Sequence, residues 1–311
     1  MANPKLHIRI ATRASDLALW QSRHVASLLE ALDSGIETEL VPITTSGDRI
    51  IDRPLNTIGG KGLFIKELEV AMLQGQADIA VHSMKDLPAQ LEPEFVVASI
   101  LPREDPRDAL VSTDGHALMA LPAGAVVGTS SLRRRSQLLA ARPDLEIRDL
   151  RGNVPTRLEK LQRGQYDAVV LACAGLRRLE RFDQTCWPLP TDIVLPAVAQ
   201  GAIGIECLRD NETLRELLGK LACPATSACV AAERAMNATL GGSCTVPIAG
   251  MAQLVEQSLR LSGLVASLDG SQIVAAELHD TSANATSLGE AVAAELLAAG
   301  AAEILQALGN E

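Results

Sequence analysis

One short sequence pattern occurs twice in this chain of 311 residues. An apolar strand, a turn containing threonine and serine, and a helix follow one another around Thr12 to Ser15 and again around Thr129 to Ser131. Strand and helix segments alternate around both copies, which predicts mostly parallel sheets covered by helices. We therefore expect two α/β lobes, each with hydroxyls and backbone N–H groups at a helix N-terminus, where anions bind. Ordinary capping by serine and threonine explains either copy taken alone.

The pattern changes from about residue 222 onward. A helix is followed by three strands and a long alanine-rich helix over about 285–308, which indicates a smaller α+β domain. Asp269-Gly270, between the last two strands, predicts a type I′ hairpin turn. The predicted fold is therefore α/β, with two lobes and a C-terminal α+β domain. Its predicted boundaries are 1–101 with 202–219 for lobe 1, 102–201 for lobe 2, and 222–311 for the C-terminal domain.

Composition excludes several classes of protein. A net charge of −10 and only 2% aromatic residues argue against a nucleic-acid partner. The six cysteines form no Cys-x-x-Cys pair and no zinc-like spacing with histidine, so we expect no metal site. No apolar run reaches the length of a membrane span, and the N-terminus lacks the apolar core of a signal peptide. We expect a cytoplasmic protein without a membrane partner.

A charged turn follows the apolar segment that ends at Val81. Lys85 and Asp86 stand side by side there, and Pro88 then restricts the backbone. Ligands of open α/β sheets bind at the carboxyl ends of the strands, so Asp86 is a candidate for a charge aimed into a cleft. A solvated surface turn is the alternative.

Arginines recur in the turns of the second half of the chain, although the protein as a whole is acidic. A basic patch in an acidic protein indicates a small polyanionic ligand. Three successive arginines, Arg133 to Arg135, cannot all point one way on a helix, so we expect Arg135 to face solvent. The alternative is an exposed helix face paired with acids such as Glu146 or Glu159.

Eight segments spread over the chain together resemble the porphobilinogen deaminase family, also called hydroxymethylbilane synthases. The resemblance implies two lobes like those of periplasmic binding proteins and a dipyrromethane cofactor, one per chain, joined to a cysteine by a thioether. It implies that four porphobilinogen molecules condense head to tail on this primer with release of ammonia, and that hydrolysis then frees linear hydroxymethylbilane. The segments are ATRASDLALWQ (11–21), GGKGLFIKELE (59–69), ADIAVHSMKDLP (77–88), REDPRDA (103–109), GTSSLRRR (128–135), RGNVPTRLEKL (151–161), LPAVAQGAIGIE (195–206) and AAERAMNATLGGSCTVPI (231–248).

The resemblance also implies roles for particular residues. Asp86 would be catalytic, because a carboxylate near the pyrrole nitrogens stabilises the positive charge that develops as ammonia leaves. The implied cofactor-binding residues are Cys244 through its thioether, Ser83, Lys85, Thr129, Ser131, Arg133, Arg134, Arg151 and Gly152. The implied substrate-binding residues are Arg13, Ser15, Lys61, Phe64, Arg157, Arg178 and Gln200. Arginine suits this work because its planar guanidinium binds a carboxylate through two parallel hydrogen bonds.

Two further expectations concern the cleft. So many cations would repel one another without a ligand, so we expect them to be hydrated or covered by a mobile loop. The polar segment 45–62 is the candidate for that loop, with Lys61 and Phe64 near the mouth of the cleft, as the resemblance implies. We expect a monomer. The rival hypothesis is a two-lobed anion-binding protein of the periplasmic-binding type, against which the Lys85-Asp86 turn and Cys244 argue.

Overall fold

The computed structural model describes residues 6–49, 64–242 and 246–309. The chain divides into two compact units, each of which contains a five-stranded sheet. Residues 6–49, 64–103 and 202–227 lie in the first unit, and the remaining described residues lie in the second.

The first unit is an α/β structure in which one strand is reversed. Its strands are β1 (Leu6–Arg13), β2 (Ile36–Ile43), β3 (Ile79–Ser83), β4 (Phe95–Ile100) and β10 (Ile203–Leu208), and its helices are α1 (Asp16–Leu32), α2 (Ser46–Arg49), α3 (Lys66–Leu73) and α7 (Glu212–Gly219). The order across the sheet is β2-β1-β3-β10-β4. Because β1 is parallel to β2 and β3 while β10 is antiparallel to β3 and β4, four of the five strands run in one direction.

Apolar side chains cover both faces of this sheet. On one face Ile10 and Ile79 pack with Leu29 of α1. On the other face Ala80 packs with Leu68 and Met72 of α3. Burial on both faces explains why the sequence of β3 reads as a continuous apolar run rather than an alternating one.

The second unit repeats the arrangement. Its strands are β5 (Asp108–Ser112), β6 (Val126–Gly128), β7 (Glu146–Arg148), β8 (Ala168–Ala172) and β9 (Cys186–Pro188), and its helices are α4 (Leu132–Ala141), α5 (Val154–Gln162) and α6 (Cys173–Arg178). The order is β7-β6-β8-β5-β9, and β5 is antiparallel to both of its neighbours. The reversed strands β5 and β10 are each the first strand after the chain passes from one unit to the other. The predicted α/β fold with mostly parallel strands is confirmed.

A smaller antiparallel sheet completes the second unit. It consists of β11 (Ile248–Val255), β12 (Ser258–Ala266) and β13 (Ile273–Thr281), and the helices of this region are α8 (Pro224–Thr239), α9 (Ala285–Leu296) and α10 (Ala302–Gly309). Met236 of α8, Leu261 of β12 and Val292 of α9 share one core, each with no exposed side-chain surface. The C-terminal α+β architecture is therefore as predicted.

Two local predictions in this region were wrong. Asp269 does not adopt the positive φ that a type I′ turn needs; among the described residues of this loop only Gly270 does, at 72°. Asp269 Oδ1 instead accepts hydrogen bonds from the Ser267 and Ser271 hydroxyls at 2.6 and 2.8 Å. These bonds belong to a loop that is longer than a two-residue turn. The C-terminal helix is also not continuous, because Gly300 has a φ of 106° and separates α9 from α10.

Contrary to our interpretation of the sequence, one described helical segment, 282–308, is long and apolar enough to cross a membrane by length and composition, with a mean hydropathy of 1.5. Only 28% of its most apolar window is buried. The buried part nevertheless packs in the core of the small sheet through Leu288, Val292 and Leu296, and the break at Gly300 interrupts the helix. We interpret it as a core helix of this region.

Candidate active site

The predicted catalytic pair lies in a tight turn at the carboxyl end of β3. Met84 to Asp86 form a single 3-10 turn, and Met84 anchors it from below, since its side chain is 1% exposed and its N–H donates to the Ala202 carbonyl at 3.0 Å. Lys85 is half-buried and Asp86 is exposed. The carboxylate of Asp86 is therefore presented to solvent by a rigid element, as expected for a group that meets a ligand.

Ser83, just before this turn, is tied to α1. Gln21 is 2% exposed, and its Nε2 donates to Ser83 Oγ at 2.8 Å. This bond connects the start of the turn to α1. The N-terminus of α1 lies in the segment around Thr12 to Ser15 that is predicted to bind an anion.

That segment contains Arg13 and Ser15. Ser15 caps α1 as predicted, with its Oγ accepting from the Ala18 N–H at 3.4 Å. The guanidinium carbon of Arg13 lies 4.1 Å from the centre of the Phe64 ring, a cation–π contact between two residues predicted to bind substrate. Lys61 lies outside the described residues.

In the second unit a buried carboxylate gathers three predicted site residues. Asp108, fully buried at the start of β5, lies 2.8 Å from Arg133 Nη2 and 2.6 Å from Arg134 Nη2. Gln200 Nε2 donates to Asp108 Oδ1 at 2.9 Å. The two guanidiniums are further fixed by backbone carbonyls, Arg133 by Leu195 at 2.7 Å and Arg134 by Val170 at 2.8 Å.

The electrostatics of this Asp108 cluster differ from our expectation. Burial raises the pKa of Asp108, but the charges of Arg133 and Arg134 outweigh it and hold that pKa well below its usual range. Burial lowers the pKa of Arg133, and Asp108 opposes this. Arg133 and Arg134 are only 5% and 6% exposed, and the carboxylate of Asp108 compensates their charge. Residues 50–62 of the loop that we expect to cover the cations lie outside the described residues. Arg135 is exposed, as predicted.

The Asp108 cluster retains the capacity to bind an anion. Two guanidiniums and one carboxylate leave a net positive charge, and Arg134 Nε is buried without a hydrogen-bond partner in the described part of the chain. A buried donor without a partner costs free energy, which an incoming acceptor would recover. The donor set therefore fits a ligand that carries carboxylates.

Thr129 and Ser131 meet at the N-terminus of α4. The Ser131 N–H donates to Thr129 Oγ1 at 3.2 Å, while Ser131 Oγ accepts from the Arg134 N–H at 3.4 Å. A shallow pocket opens at this helix end. It is lined by Thr129, Ser130, Ser131, Leu132, Arg135, Ile147 and Asp149. Ser131 thus caps the helix as the alternative interpretation expects, and the pocket has one carboxylate, Asp149, on its wall.

The loop before α5 brings Gly152 and Arg157 together. Arg157 Nε donates to the Gly152 carbonyl at 2.8 Å, and Lys160 Nζ donates to the Arg151 carbonyl at 3.0 Å. Gly152 has a φ of 109°, where a side chain would be strained and would meet Thr156. Arg151 and Arg157 are both half-buried at this loop.

Arg178 and Gln200 support the backbone rather than standing open to solvent. Arg178 Nη2 donates to the Gly201 carbonyl at 2.7 Å, and burial lowers the pKa of Arg178 to about 10. Gln200 Nε2 donates to the Pro106 carbonyl at 2.8 Å as well as to Asp108. Gln200 therefore holds the backbone at Pro106, where the chain enters this part of the second unit, and Arg178 holds it at Gly201, where the chain leaves.

Gly201 lies where these two segments touch, and its replacement tests the contact. Glu104 N–H donates to the Gly201 carbonyl at 3.2 Å, Gly201 has a φ of 89°, and a Cβ there would overlap the Glu104 carbonyl oxygen. We expect Gly201→Ala to lower the free energy of unfolding by about 3 kcal/mol, from the unfavourable φ and the overlap together. Denaturant unfolding measures this. Gly164→Ala is the matched control, because Gly164 has a φ of 71° and nothing within 4 Å of the added carbon; equal losses would contradict the proposed overlap.

The principal residue missed in the sequence is Asp108. Its signal was a carboxylate opening the apolar strand Ala109 to Val111, directly beside Arg107. A buried carboxylate requires cationic partners, so the arginine triplet was the obvious candidate. Cys244, the predicted cofactor anchor, lies outside the described residues. The five described cysteines are free thiols, and no described group of three His, Cys, Asp or Glu side chains could hold a metal ion.

Comparison with known proteins identifies the family. Residues 8–216 match the family model for the porphobilinogen deaminase dipyrromethane cofactor-binding domain, and residues 227–298 match the porphobilinogen deaminase C-terminal domain. Porphobilinogen deaminases of Xanthomonas oryzae pv. oryzae (strain PXO99A) and Xanthomonas euvesicatoria pv. vesicatoria (strain 85-10) are each 54% identical over 97% of this chain and 99% of the relative. A substrate-binding domain of a putative amino-acid ABC transporter from Streptococcus pneumoniae matches with a TM-score of 0.44 and 14% identity, over 69% of this chain and 91% of that domain. From the family models and the named relatives, the chain belongs to the porphobilinogen deaminase family.

Proposed function

We propose that this chain is a transferase that joins four porphobilinogen molecules head to tail on a covalently held dipyrromethane. Ammonia leaves at each condensation, and hydrolysis finally releases linear hydroxymethylbilane, a precursor of porphyrins and heme. The observation that carries the proposal is the match to both family domains together with 54% identity to named porphobilinogen deaminases over 97% of the chain.

The described arginines supply carboxylate recognition. Each porphobilinogen carries an acetate and a propionate, so every added ring brings two negative charges. The Asp108 cluster offers a net positive charge and the unpartnered Arg134 Nε. The α4 N-terminus and the Gly152 loop add hydroxyls, N–H groups and further arginines. Dipyrromethane, when bound, supplies the free pyrrole carbon to which the first substrate unit is joined.

Asp86 supplies the charge that favours departure of ammonia. Its carboxylate stands exposed on the rigid turn after β3, within reach of a ligand. Positive charge grows on the pyrrole ring of the substrate as its amine leaves, and a fixed carboxylate lowers the energy of that state. The same oxygen atoms are able to accept the proton that is lost when the new ring regains aromaticity.

We further propose a monomeric, cytoplasmic protein with lobe and domain boundaries as predicted from the sequence. The negative net charge and the free thiols of the described cysteines support this setting. The rival function, simple anion binding by a two-lobed protein, is less favoured because the C-terminal family domain is matched as well.

Intact-mass measurement tests the function. The purified protein should exceed its sequence mass by two pyrrole rings and give a colour with acidic Ehrlich reagent. Added porphobilinogen should then produce stepwise mass increments of one ring each. A mass equal to that of the sequence, with no increments, would rule out the proposed activity.

Replacing the anchor cysteine gives the sharpest prediction. We expect Cys244→Ser to abolish both the mass excess and the Ehrlich colour, because a hydroxyl cannot form the thioether. The matched control is Cys223→Ser, since Cys223 is the one described cysteine that is not buried; it should keep the full excess. Loss of the cofactor from the Cys223 variant and not from the Cys244 variant would transfer the anchor to residue 223.

A further inference from the structure

A buried histidine–carboxylate hydrogen bond lies at the end of β3, next to the catalytic turn, and the proposed function gives it no role. His82 Nε2 on β3 is 2.8 Å from Glu206 Oε2 on β10, and the two side chains are 5% and 0% exposed. Glu206 Oε1 is buried without a hydrogen-bond partner among the described residues. A buried polar pair with one oxygen left without a partner is rarely more stabilising than apolar packing, so its presence indicates a purpose other than stability.

Register places the pair on one face of the sheet. His82 lies opposite Gly204, and Glu206 lies opposite Ala80. Side chains alternate along a strand, so His82 and Glu206 project to the face that Ala80 shares with Leu68 and Met72 of α3. The pair is therefore enclosed between the sheet and α3.

A third titratable group joins from α3. Burial, and then the charge of Glu206, raise the pKa of Glu69 to about 7, while His82 acts in the opposite direction. The remaining acids that act on Glu69 are Glu92 and Glu94, both exposed in the segment before β4. Glu69 follows Leu68 on α3, the helix that covers this face of the sheet, so it joins His82 and Glu206 in one cluster, His82–Glu206–Glu69, in which the pKa of Glu69 lies near neutral pH.

The cluster is connected to Asp86 through the backbone of β3. Met84 packs on the same face as His82, where a Cβ at Gly204 would overlap the Met84 sulfur. Ser83 between them is held by Gln21 on the opposite side. The side chains of His82 and Met84 therefore fix the backbone on one face of the sheet and Ser83 fixes it on the other, immediately before Lys85 and Asp86.

We infer that His82 and Glu206 are positioning residues for the catalytic turn, and that the charge of Glu69, on the helix that covers their face of the sheet, tunes how firmly they hold it. An ionised Glu69 repels Glu206 and weakens the attachment of β3 to β10 at the base of the turn. A protonated Glu69 removes this repulsion. The inference rests on the proposed function, because it concerns the turn that carries Asp86.

Holoenzyme variants test the positioning role. We expect Glu206→Gln to lower kcat about tenfold or more, with KM and cofactor mass little changed, because Asp86 is misplaced and not removed. His82→Gln, which keeps a donor toward Glu206, should retain more activity than His82→Ala. The control is Glu92→Gln, which removes an equal charge from the exposed segment before β4, outside the cluster, and should behave as the wild type. A folded Glu206→Gln enzyme with wild-type kcat would overturn the inference.

The pH profile separates positioning from a merely structural role. Glu69→Gln mimics the protonated acid, so the change in kcat that Glu69 causes between about pH 6 and 8 should disappear in this variant. Stability should follow the same group. A raised folded-state pKa means that the stabilisation is complete below about 4.5, the unfolded value, and is lost as pH rises through 7. Glu69→Gln should therefore raise Tm relative to wild type at pH 8 and leave it equal at pH 4.5.

The positioning role remains testable if one of the variants fails to fold. If Glu206→Gln does not fold, the Glu69→Gln profile takes its place: a lost pH limb supports the inference, and a kcat profile that overlaps the wild type overturns it. Stepwise mass increments in wild type with unaffected variants would reject the inference and leave the proposed function standing. Absence of those increments in the wild type would reject the function itself.

Discussion

Asp108→Ala is expected to lower the free energy of unfolding by about 3–5 kcal/mol, the usual result when one partner of a buried ion pair is removed. Two guanidiniums that are 5% and 6% exposed would be left in the core with no carboxylate, and Gln200 would lose one of its acceptors. Denaturant unfolding of the purified variant measures the loss. Cofactor mass per chain should fall with it, because Arg133 and Arg134 would no longer be held in place.

The control for this prediction is an exposed pair in the same unit. Glu146 accepts from Arg148 Nε at 2.7 Å, with both side chains about half exposed. Exposed pairs contribute about 0–1 kcal/mol, so Glu146→Ala should change stability little. Similar losses in both variants would show that burial of Asp108 has no special energetic weight.

The pH dependence of the free energy of unfolding tests the same prediction. Because the folded pKa of Asp108 is depressed, its stabilisation is complete above about 3.8, the unfolded value, and is lost only as pH falls below it. The difference between wild type and Asp108→Ala should therefore be the same at pH 8 and at pH 5. This behaviour is opposite to that of Glu69, whose contribution changes within that interval.

Asp86→Asn is expected to reduce turnover by about 10²–10³-fold while the dipyrromethane stays attached, the range found when one stabilising group is removed from a transition state. Asparagine keeps the shape of the side chain and removes its charge. Asp86 is exposed, so the variant should unfold at the wild-type temperature. Rate measurements with porphobilinogen, combined with intact mass, separate lost chemistry from lost cofactor.

Asp210→Asn is the matched control, since Asp210 is an exposed aspartate after β10 in the same unit. It should keep the wild-type rate. Turnover by Asp86→Asn within a few-fold of the control would remove Asp86 from the catalytic role.

The sequence predicted the fold well where local signals and burial agreed. The helix expected after the Thr129 to Ser131 turn is α4, which begins at Leu132 because Ser131 caps it. The restart of the strand–turn–helix pattern correctly indicated a second α/β sheet. The break at Gly300 was missed because an isolated glycine in an alanine-rich helix is also compatible with an uninterrupted helix.

The sequence proposed which residues belong to the candidate site, and it indicated little about their surroundings. The sequence indicated that the arginines bind carboxylates. It did not indicate which arginines would be bound by groups of the protein itself. Arg133 and Arg134 are held by Asp108, and Arg178 is held by the Gly201 carbonyl. Asp108 lies 26 residues from Arg134 along the chain, and Gly201 lies 23 residues from Arg178. Such pairings depend on the fold, so periodicity and local motifs could not reveal them.

The placement of β10 between β3 and β4 has a consequence for synthesis on the ribosome. β3 and β4 emerge early, but the strand that joins them follows the entire segment 104–201. All five strands of the second large sheet lie within 108–188, so that sheet can close while the first still has a gap. Proteins usually fold from the N-terminal domain onward during translation. In this chain we expect the middle segment to fold first. The edges of β3 and β4 should stay unpaired until β10 has been synthesised up to residue 208, unless a chaperone covers them.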